Sequence, residues 1–145
     1  MSVDVVTQVE IARARADVAS FASDPMNATT WYRNIHAVTS ETSPPLAVGS
    51  RVRFRARFLG RTLEYTYEVV ELVPTERLVM SMRSGPFPME TSYRWEDTAH
   101  GTRMTLRNRG EPEGYLRMLE GVSAAAMRRA NRADLARLKA LLEAP

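Results

Sequence analysis

Five tyrosines, two tryptophans, eight methionines and two histidines are the side chains of this 145-residue chain best suited to hold or alter a small molecule. Tyr65 and Tyr67, Met80 and Met82, and Tyr93 and Trp95 recur at every second position, the spacing that puts neighbours on one face of a strand. A tyrosine presents apolar area with a hydroxyl, and methionine fills irregular gaps in apolar sites. Catalytic signatures are missing. There is no cysteine, so no disulfide, thiolate metal site or Cys nucleophile. His36 and His100 have no His, Asp or Glu companions at metal-ligand spacing, and no metal or cofactor is expected. The chain carries no Gly-rich phosphate loop, G-x-S-x-G elbow or Ser/His/Asp signature. His100 falls in a hairpin turn. His36 follows Trp31 closely enough to edge a pocket as an acid or base, although an exposed loop is its ordinary place.

The longest organising element is the last. From Tyr115 to Glu143 there is no proline, and Leu116, Leu119, Ser123, Met127, Ala130, Leu135, Leu138 and Leu142 recur at helical spacing. At 1.5 Å per residue this predicts a rod of about 43 Å with one apolar stripe. Asn131 and Asp134 are placed at the boundary of that stripe. Such a helix needs a sheet to cover it. Val3, Val5, Thr7, Val9 and Ile11 share one side of a first strand. Ala16 to Ser23 is a short helix, and Asp24-Pro25 reads as an N-cap with proline at the first helical position of a second, Met26 to about Tyr32, anchored by Trp31. Six strands follow: 37–42, 49–59, 62–72, 78–84, 89–97 and 102–108.

The net charge is +3, the sequence pI about 9.7, and nineteen of the twenty basic residues are Arg. Arg51, Arg53, Arg55 and Arg57 alternate with Val52, Phe54, Ala56 and Phe58. A two-residue turn at Gly60-Arg61 would put Arg57 opposite Glu64 and Arg53 opposite Glu68. The apolar pairs would be Phe58 with Leu63, Ala56 with Tyr65, and Phe54 with Tyr67. The stripe then becomes a cross-paired outer face rather than a nucleic-acid surface, so no nucleic-acid partner is expected. Glu90 is a surface charge by the same alternation. Arg128, Arg129 and Arg132 are less obviously compensated; they could serve an anionic partner, but a solvated helix face is their ordinary reading. No apolar run is long enough for an integral membrane segment, and no signal peptide is visible, which makes the cytoplasm the default location. One domain over residues 1–145, as monomer or homodimer, fits this length.

The order strand, two short helices, six strands, long helix resembles the START-like helix-grip (SRPBCC) superfamily, and within it the polyketide cyclase/dehydrase and lipid transport branch. The likeness is carried by Val9-Glu10-Ile11 with Val18 and Phe21, by Asp24-Pro25 with Trp31, and by Val48-Gly49-Ser50-Arg51. It continues through Tyr67 to Pro74 and Gly101 to Thr105, and closes with Leu135-Ala136-Arg137-Leu138-Lys139. The resemblance implies an α+β helix-grip fold: a seven-stranded curved antiparallel sheet around the C-terminal helix, with two short helices after strand 1 and a cavity between sheet and helix. It also implies hydrophobic small-molecule ligands, lipids and polyketides among them. It carries no universal catalytic motif.

The expected cavity lining is Trp31, Phe54, Tyr65, Tyr67, Met80 and Met82, with Tyr93, Trp95, Met104 and Asn108 from the later strands. Leu119, Ser123 and Met127 complete it from the helix. Singly, each is more often an ordinary packed-core residue; as a set they favour a cavity. Two functions fit the set: binding of a small hydrophobic or aromatic molecule, or a cyclase, aromatase or dehydratase. The enzyme would use Tyr67 or Tyr93 as general acid and Arg83 or Asn108 to polarise a carbonyl.

Overall fold

The computed structural model describes residues 3–58, 60–84, 88–110 and 120–145. Strand β1 (Val3–Ile11) leads into helix α1 (Arg15–Ser23), a 3₁₀ turn (Pro25–Asn27) and helix α2 (Ala28–Trp31). Six strands follow: β2 (Ile35–Ser40), β3 (Arg51–Phe58), β4 (Arg61–Val73), β5 (Arg77–Ser84), β6 (Met89–Thr98) and β7 (Gly101–Gly110). Helix α3 (Glu120–Glu143) closes the chain. Residues 115–119, expected to be helical, lie outside the described residues. The Asp24 cap forms as the sequence indicates: its Oδ1 accepts from the Met26 N–H at 3.0 Å, with Pro25 at the first helical position.

All seven strands make one antiparallel sheet in the order β1-β7-β6-β5-β4-β3-β2. The chain meanders from β2 to β7, and the two short helices carry it from β1 on one edge to β2 on the other. Alternation sets the faces: Val3, Val5, Thr7 and Ile11 of β1 are buried, while Asp4, Val6, Gln8 and Glu10 are exposed. Three register shifts bend the sheet around the helix, at residues 35–37 in β2, 66–67 in β4 and 69–71 in β4. Each adds one residue to one strand of a pair and so increases the local twist.

The β3–β4 register corrects the sequence reading. Phe58 pairs with Arg61, so the turn is centred one residue earlier than Gly60-Arg61 and every partner slides by two. Gly60 takes the second central position, where its φ of 77° is free of steric cost. A slide of two preserves the faces but changes the pairs. Arg55 meets Glu64 at 3.0 Å and Arg51 meets Glu68 at 3.3 Å, while Phe54 faces Tyr65, Ala56 faces Leu63 and Val52 faces Tyr67.

Helix α3 lies across the buried face, packed most extensively on β1. Leu135, Leu138 and Leu142 are buried there with Val18 and Trp31 of the short helices. Its C-terminal end is pinned by polar contacts. Arg13 donates to the Leu142 carbonyl at 2.7 Å, the Ala12 N–H donates to Glu143 Oε2 at 2.8 Å, and Lys139 Nζ donates to the Glu10 carbonyl at 2.8 Å. Arg13 thus satisfies a terminal carbonyl and meets the negative end of the helix dipole.

Candidate functional site

Between sheet and helix lies a cavity of about 160 Å³. Curvature makes it: inward residues of β3 to β7 form the concave wall, and α3 faces it. Phe54 and Ala56 of β3, Tyr65 and Tyr67 of β4, Met80 and Met82 of β5, and Met89, Thr91 and Tyr93 of β6 line the sheet side. Tyr32, just past α2, closes one end, and Met127, Ala130, Asn131 and Asp134 form the helix side. Exposed Arg57 and half-buried Asn34, joined by the Arg57 N–H to the Asn34 carbonyl at 2.8 Å, also adjoin the cavity. The aromatic wall is held by mutual packing. Phe54 stacks on Tyr65 at 5.6 Å between centroids, Tyr65 meets Tyr67 edge-on at 5.4 Å, and Trp31 backs Tyr32 at 4.0 Å.

A chain of hydrogen bonds crosses the floor from helix to sheet. Asn131 Nδ2 donates to Asn108 Oδ1 at 2.7 Å, and Asn108 Nδ2 donates to Thr91 Oγ1 at 2.8 Å. Thr91 Oγ1 and Tyr67 Oη share a hydrogen bond at 2.8 Å. A second hydroxyl pair, Tyr32 and Tyr93, is 2.6 Å apart. Each hydroxyl pair owns two protons and uses one internally, so one proton of each pair is left to donate elsewhere, whichever member is the donor.

Burial keeps these phenols protonated. Desolvation pushes Tyr67 up to about 12, against a smaller opposing effect from its bond to Thr91. Desolvation also raises Tyr65, Tyr93 and Tyr32, in Tyr32 reinforced by Tyr93. They act as neutral hydrogen-bond donors in an apolar enclosure. Asp134 is the buried carboxyl of the site, 3% exposed. Its Oδ1 accepts from the Arg33 N–H at 3.0 Å and lies 3.8 Å from Arg137 Nη1. Desolvation nevertheless raises its pKa above the ordinary carboxylate value. Arg137 also donates to the Trp31 carbonyl at 3.1 Å, so residues 134 and 137 of α3 together fix the segment that carries Tyr32.

Of the sequence-derived lining, Phe54, Tyr65, Tyr67, Met80, Met82, Tyr93, Asn108 and Met127 come together around the cavity. Trp31, Trp95 and Met104 do not. They are buried behind it, at 0%, 2% and 0% exposure, as packing for the residues that do. Leu119, and the side chain of Ser123, lie outside the described residues. Arg83 is corrected outright: it is the extra residue of the 66–67 irregularity, exposed, and bonded to Glu68 at 3.3 Å. His36 sits at the 35–37 bulge, exposed and off the lining; His100 is also exposed. Asn131 and Asp134 are not at the stripe's boundary but buried within it. Their spacing from Met127 and Leu138 (four, three, four) is the signal that identifies them. Tyr32 and Thr91 were missed as well, and Thr91 sits in phase with Met89 and Tyr93. Among the described residues no group of three or more His, Cys, Asp or Glu could hold a metal ion. No helix there is long and apolar enough to cross a membrane.

No curated protein matches the chain. Among solved structures it is similar to the protein TTHA0849 from Thermus thermophilus, with 17% identity, TM-score 0.82 and 94% of each chain covered. It is similar to the Zhui aromatase/cyclase of a Streptomyces species, with 16% identity and TM-score 0.82, covering 99% of this chain and 94% of that one. The di-domain aromatase/cyclase StfQ from the steffimycin biosynthetic pathway matches at 11% identity and TM-score 0.76, covering 99% of this chain and 52% of that one. At such identities these likenesses show the helix-grip fold alone. The family is shown by its sequence model, described as polyketide cyclase / dehydrase and lipid transport, which matches residues 2–143: the chain belongs to that family.

Proposed function

We propose that the protein binds a small hydrophobic or aromatic molecule bearing an acceptor oxygen, held between the sheet and α3. The observation that carries this reading is the second hydroxyl proton of each pair, Tyr32/Tyr93 and Tyr67/Thr91, for which no acceptor is found among the described residues, in a lining mostly of aromatic, methionine and aliphatic side chains with Asn108, Asn131 and Asp134 beside them. A buried donor without an acceptor is costly, and a ligand carbonyl relieves that cost. The volume supports a single ring within the cavity, since an apolar cavity of about 150 Å³ accepts benzene. A larger body would extend through the rim. Calorimetric titration with 2-acetylnaphthalene and its hydrocarbon counterpart 2-ethylnaphthalene tests this. The ketone should bind several-fold more tightly; equal affinities would remove the hydroxyls from the reading, and absence of binding by either would remove the pocket.

A second reading, a cyclase, aromatase or dehydratase, draws support from the family and from the aromatase/cyclase activities named for two similar structures. Of its proposed groups, Tyr67 and Asn108 meet through Thr91, while Arg83 takes no part. A phenol pushed up to about 12 is a poor proton donor at neutral pH, which weighs toward binding and orientation rather than general-acid chemistry. Phenylalanine at both Tyr67 and Tyr93 separates the two, because turnover of a polyketide-like substrate unchanged by that double variant would sink the acid roles.

A further inference from the structure

The helix side of the cavity offers acceptors that nothing in the protein uses. Asp134 and Asn131 both line the cavity from α3, at 3% and 6% exposure. Asp134 commits Oδ1 to the Arg33 N–H at 3.0 Å, and Asn131 commits Nδ2 to Asn108 at 2.7 Å. Asp134 Oδ2 and Asn131 Oδ1 make no hydrogen bond among the described residues. They are not sealed off either. Among the described residues, the enclosed side-chain nitrogens and oxygens without a partner are the indole nitrogens of Trp31 and Trp95 alone. The two free oxygens of α3 therefore open onto the cavity. Asp134 is also a near neighbour of the Tyr32/Tyr93 pair: after desolvation, its charge contributes to raising both phenols. A donor without an acceptor and an acceptor without a donor thus stand close together at one wall.

We infer that Asp134 is a specificity-determining residue, and that the ligand's polar group is a hydroxyl which accepts from the Tyr32/Tyr93 pair and donates to Asp134 Oδ2. This rests on the pocket reading and names the kind of acceptor oxygen that the pocket takes. A hydroxyl has one donor proton and two lone pairs, so it answers both unmet partners at once. A ketone or an ether answers the tyrosines and leaves the carboxylate oxygen bare. An ammonium answers the carboxylate and leaves the phenol proton without an acceptor. An anion meets Asp134 with like charge. Structural duty accounts for only half of this side chain. An asparagine would hold the Arg33 N–H as well, whereas a carboxylate alone adds a second acceptor turned to the cavity. The Arg33 N–H and the Arg137 guanidinium, 3.8 Å from Oδ1, work against desolvation to favour the charged form, and a charged acceptor makes the stronger hydrogen bond.

The test compares 2-naphthol with 2-methoxynaphthalene, which share the rings and the oxygen and differ in the donor proton. In calorimetric titrations of the parent protein at neutral pH, 2-naphthol should bind about tenfold tighter. Asp134→Asn keeps an acceptor for the Arg33 N–H and should bring the ratio close to one by weakening 2-naphthol. Phenylalanine at both Tyr32 and Tyr93 should weaken the two probes together and keep most of the ratio. The cation 2-(aminomethyl)naphthalene should bind less tightly than 2-naphthol. Two probes that bind the parent equally overturn the inference while the pocket stands, and that comparison needs no variant. A ratio that survives Asp134→Asn overturns it as well, and an amine that binds tighter than 2-naphthol overturns the hydroxyl. If none of the three binds, the pocket reading has failed and this one with it.

Discussion

The phenolic oxygens of Tyr32 and Tyr93 lie 2.6 Å apart, joining the end of α2 to the inner face of β6 at one wall of the cavity. Trp31 packs behind both rings, at 4.0 and 5.9 Å between centroids, so neither phenol can swing away without disturbing the core. A donor fixed in this way loses little freedom on meeting an acceptor, which is what makes it useful for recognition.

Replacing both Tyr32 and Tyr93 by phenylalanine removes that donor and keeps the rings. Affinity for 2-acetylnaphthalene should fall by about tenfold, the worth of one hydrogen bond of about 1 to 1.5 kcal/mol, with 2-ethylnaphthalene unaffected. Calorimetry of the double variant against the parent decides it. An equal loss for both probes would mean that the pair supports packing rather than recognition.

The Asn131–Asn108–Thr91–Tyr67 chain ties α3 to three strands. Asn131→Leu leaves the Asn108 carbonyl oxygen without its donor in a part-buried site. Unfolding in urea should show a loss of about 1 to 3 kcal/mol. A companion Asn108→Leu in the same chain should restore part of that loss, since no orphaned amide remains. Additive losses would show that the two amides are not coupled.

Burial raises the pKa of Asp134, so the folded state holds its proton more tightly than the unfolded state does. The contribution to stability therefore falls as pH rises from the ordinary carboxylate value through the raised folded value, and is level above it. Asp134→Asn keeps an acceptor for the Arg33 N–H and abolishes the titration. Its stability relative to the parent should improve with rising pH across that window and stay constant below it. Parallel melting curves at all pH values would show that Asp134 is not desolvated as described.

Gly101 opens β7 where the chain presses against the β1–α1 connection. A Cβ at this position would stand 2.1 Å from the Ile11 carbonyl oxygen and 2.9 Å from the Arg13 nitrogen, both backbone atoms. Gly101→Ala forces main chain to shift and should cost about 2 kcal/mol or more. Gly60→Ala meets no atom within 4 Å, and its cost comes from its φ of 77° alone, about 1 kcal/mol. A larger loss at Gly60 than at Gly101 in thermal melts would contradict the packing described around β7.

Element order and faces were legible because both periods are long and clean: alternation over 51–58 and 61–73, and helical recurrence over 127–142. Which residue meets which was less so. Sliding β3 on β4 by two residues keeps every face and still sets arginine opposite glutamate, so charge matching could not tell Arg55–Glu64 from Arg57–Glu64. The pairing of Phe58 with Arg61 in the structure decides between them, since the positive φ of Gly60 suits either turn. Trp95 and Met104 share the inward face with true lining residues, but alternation reports the face and not the depth. They fall where β6 and β7 are covered, while Thr91 and Asn108, closer to the other ends of the same strands, reach the cavity. Asn131 and Asp134 were discounted as polar residues at a boundary although their spacing placed them inside. Buried polar groups at a ligand site break the hydrophobic pattern by design of function, so pattern alone undervalues them.

Methionine methyl groups sample the cavity directly. Met80, Met82, Met89 and Met127 line it, Met104 is buried behind it, and Met26 is 57% exposed on the surface. The deciding measurement is a titration of methyl-labelled protein with 2-acetylnaphthalene, followed by NMR. Saturable ring-current shifts are expected at the four lining methyls, with Met104 and Met26 still. Saturable binding that moves Met26 and leaves those four unchanged would place the ligand elsewhere and contradict a binding cavity between sheet and helix.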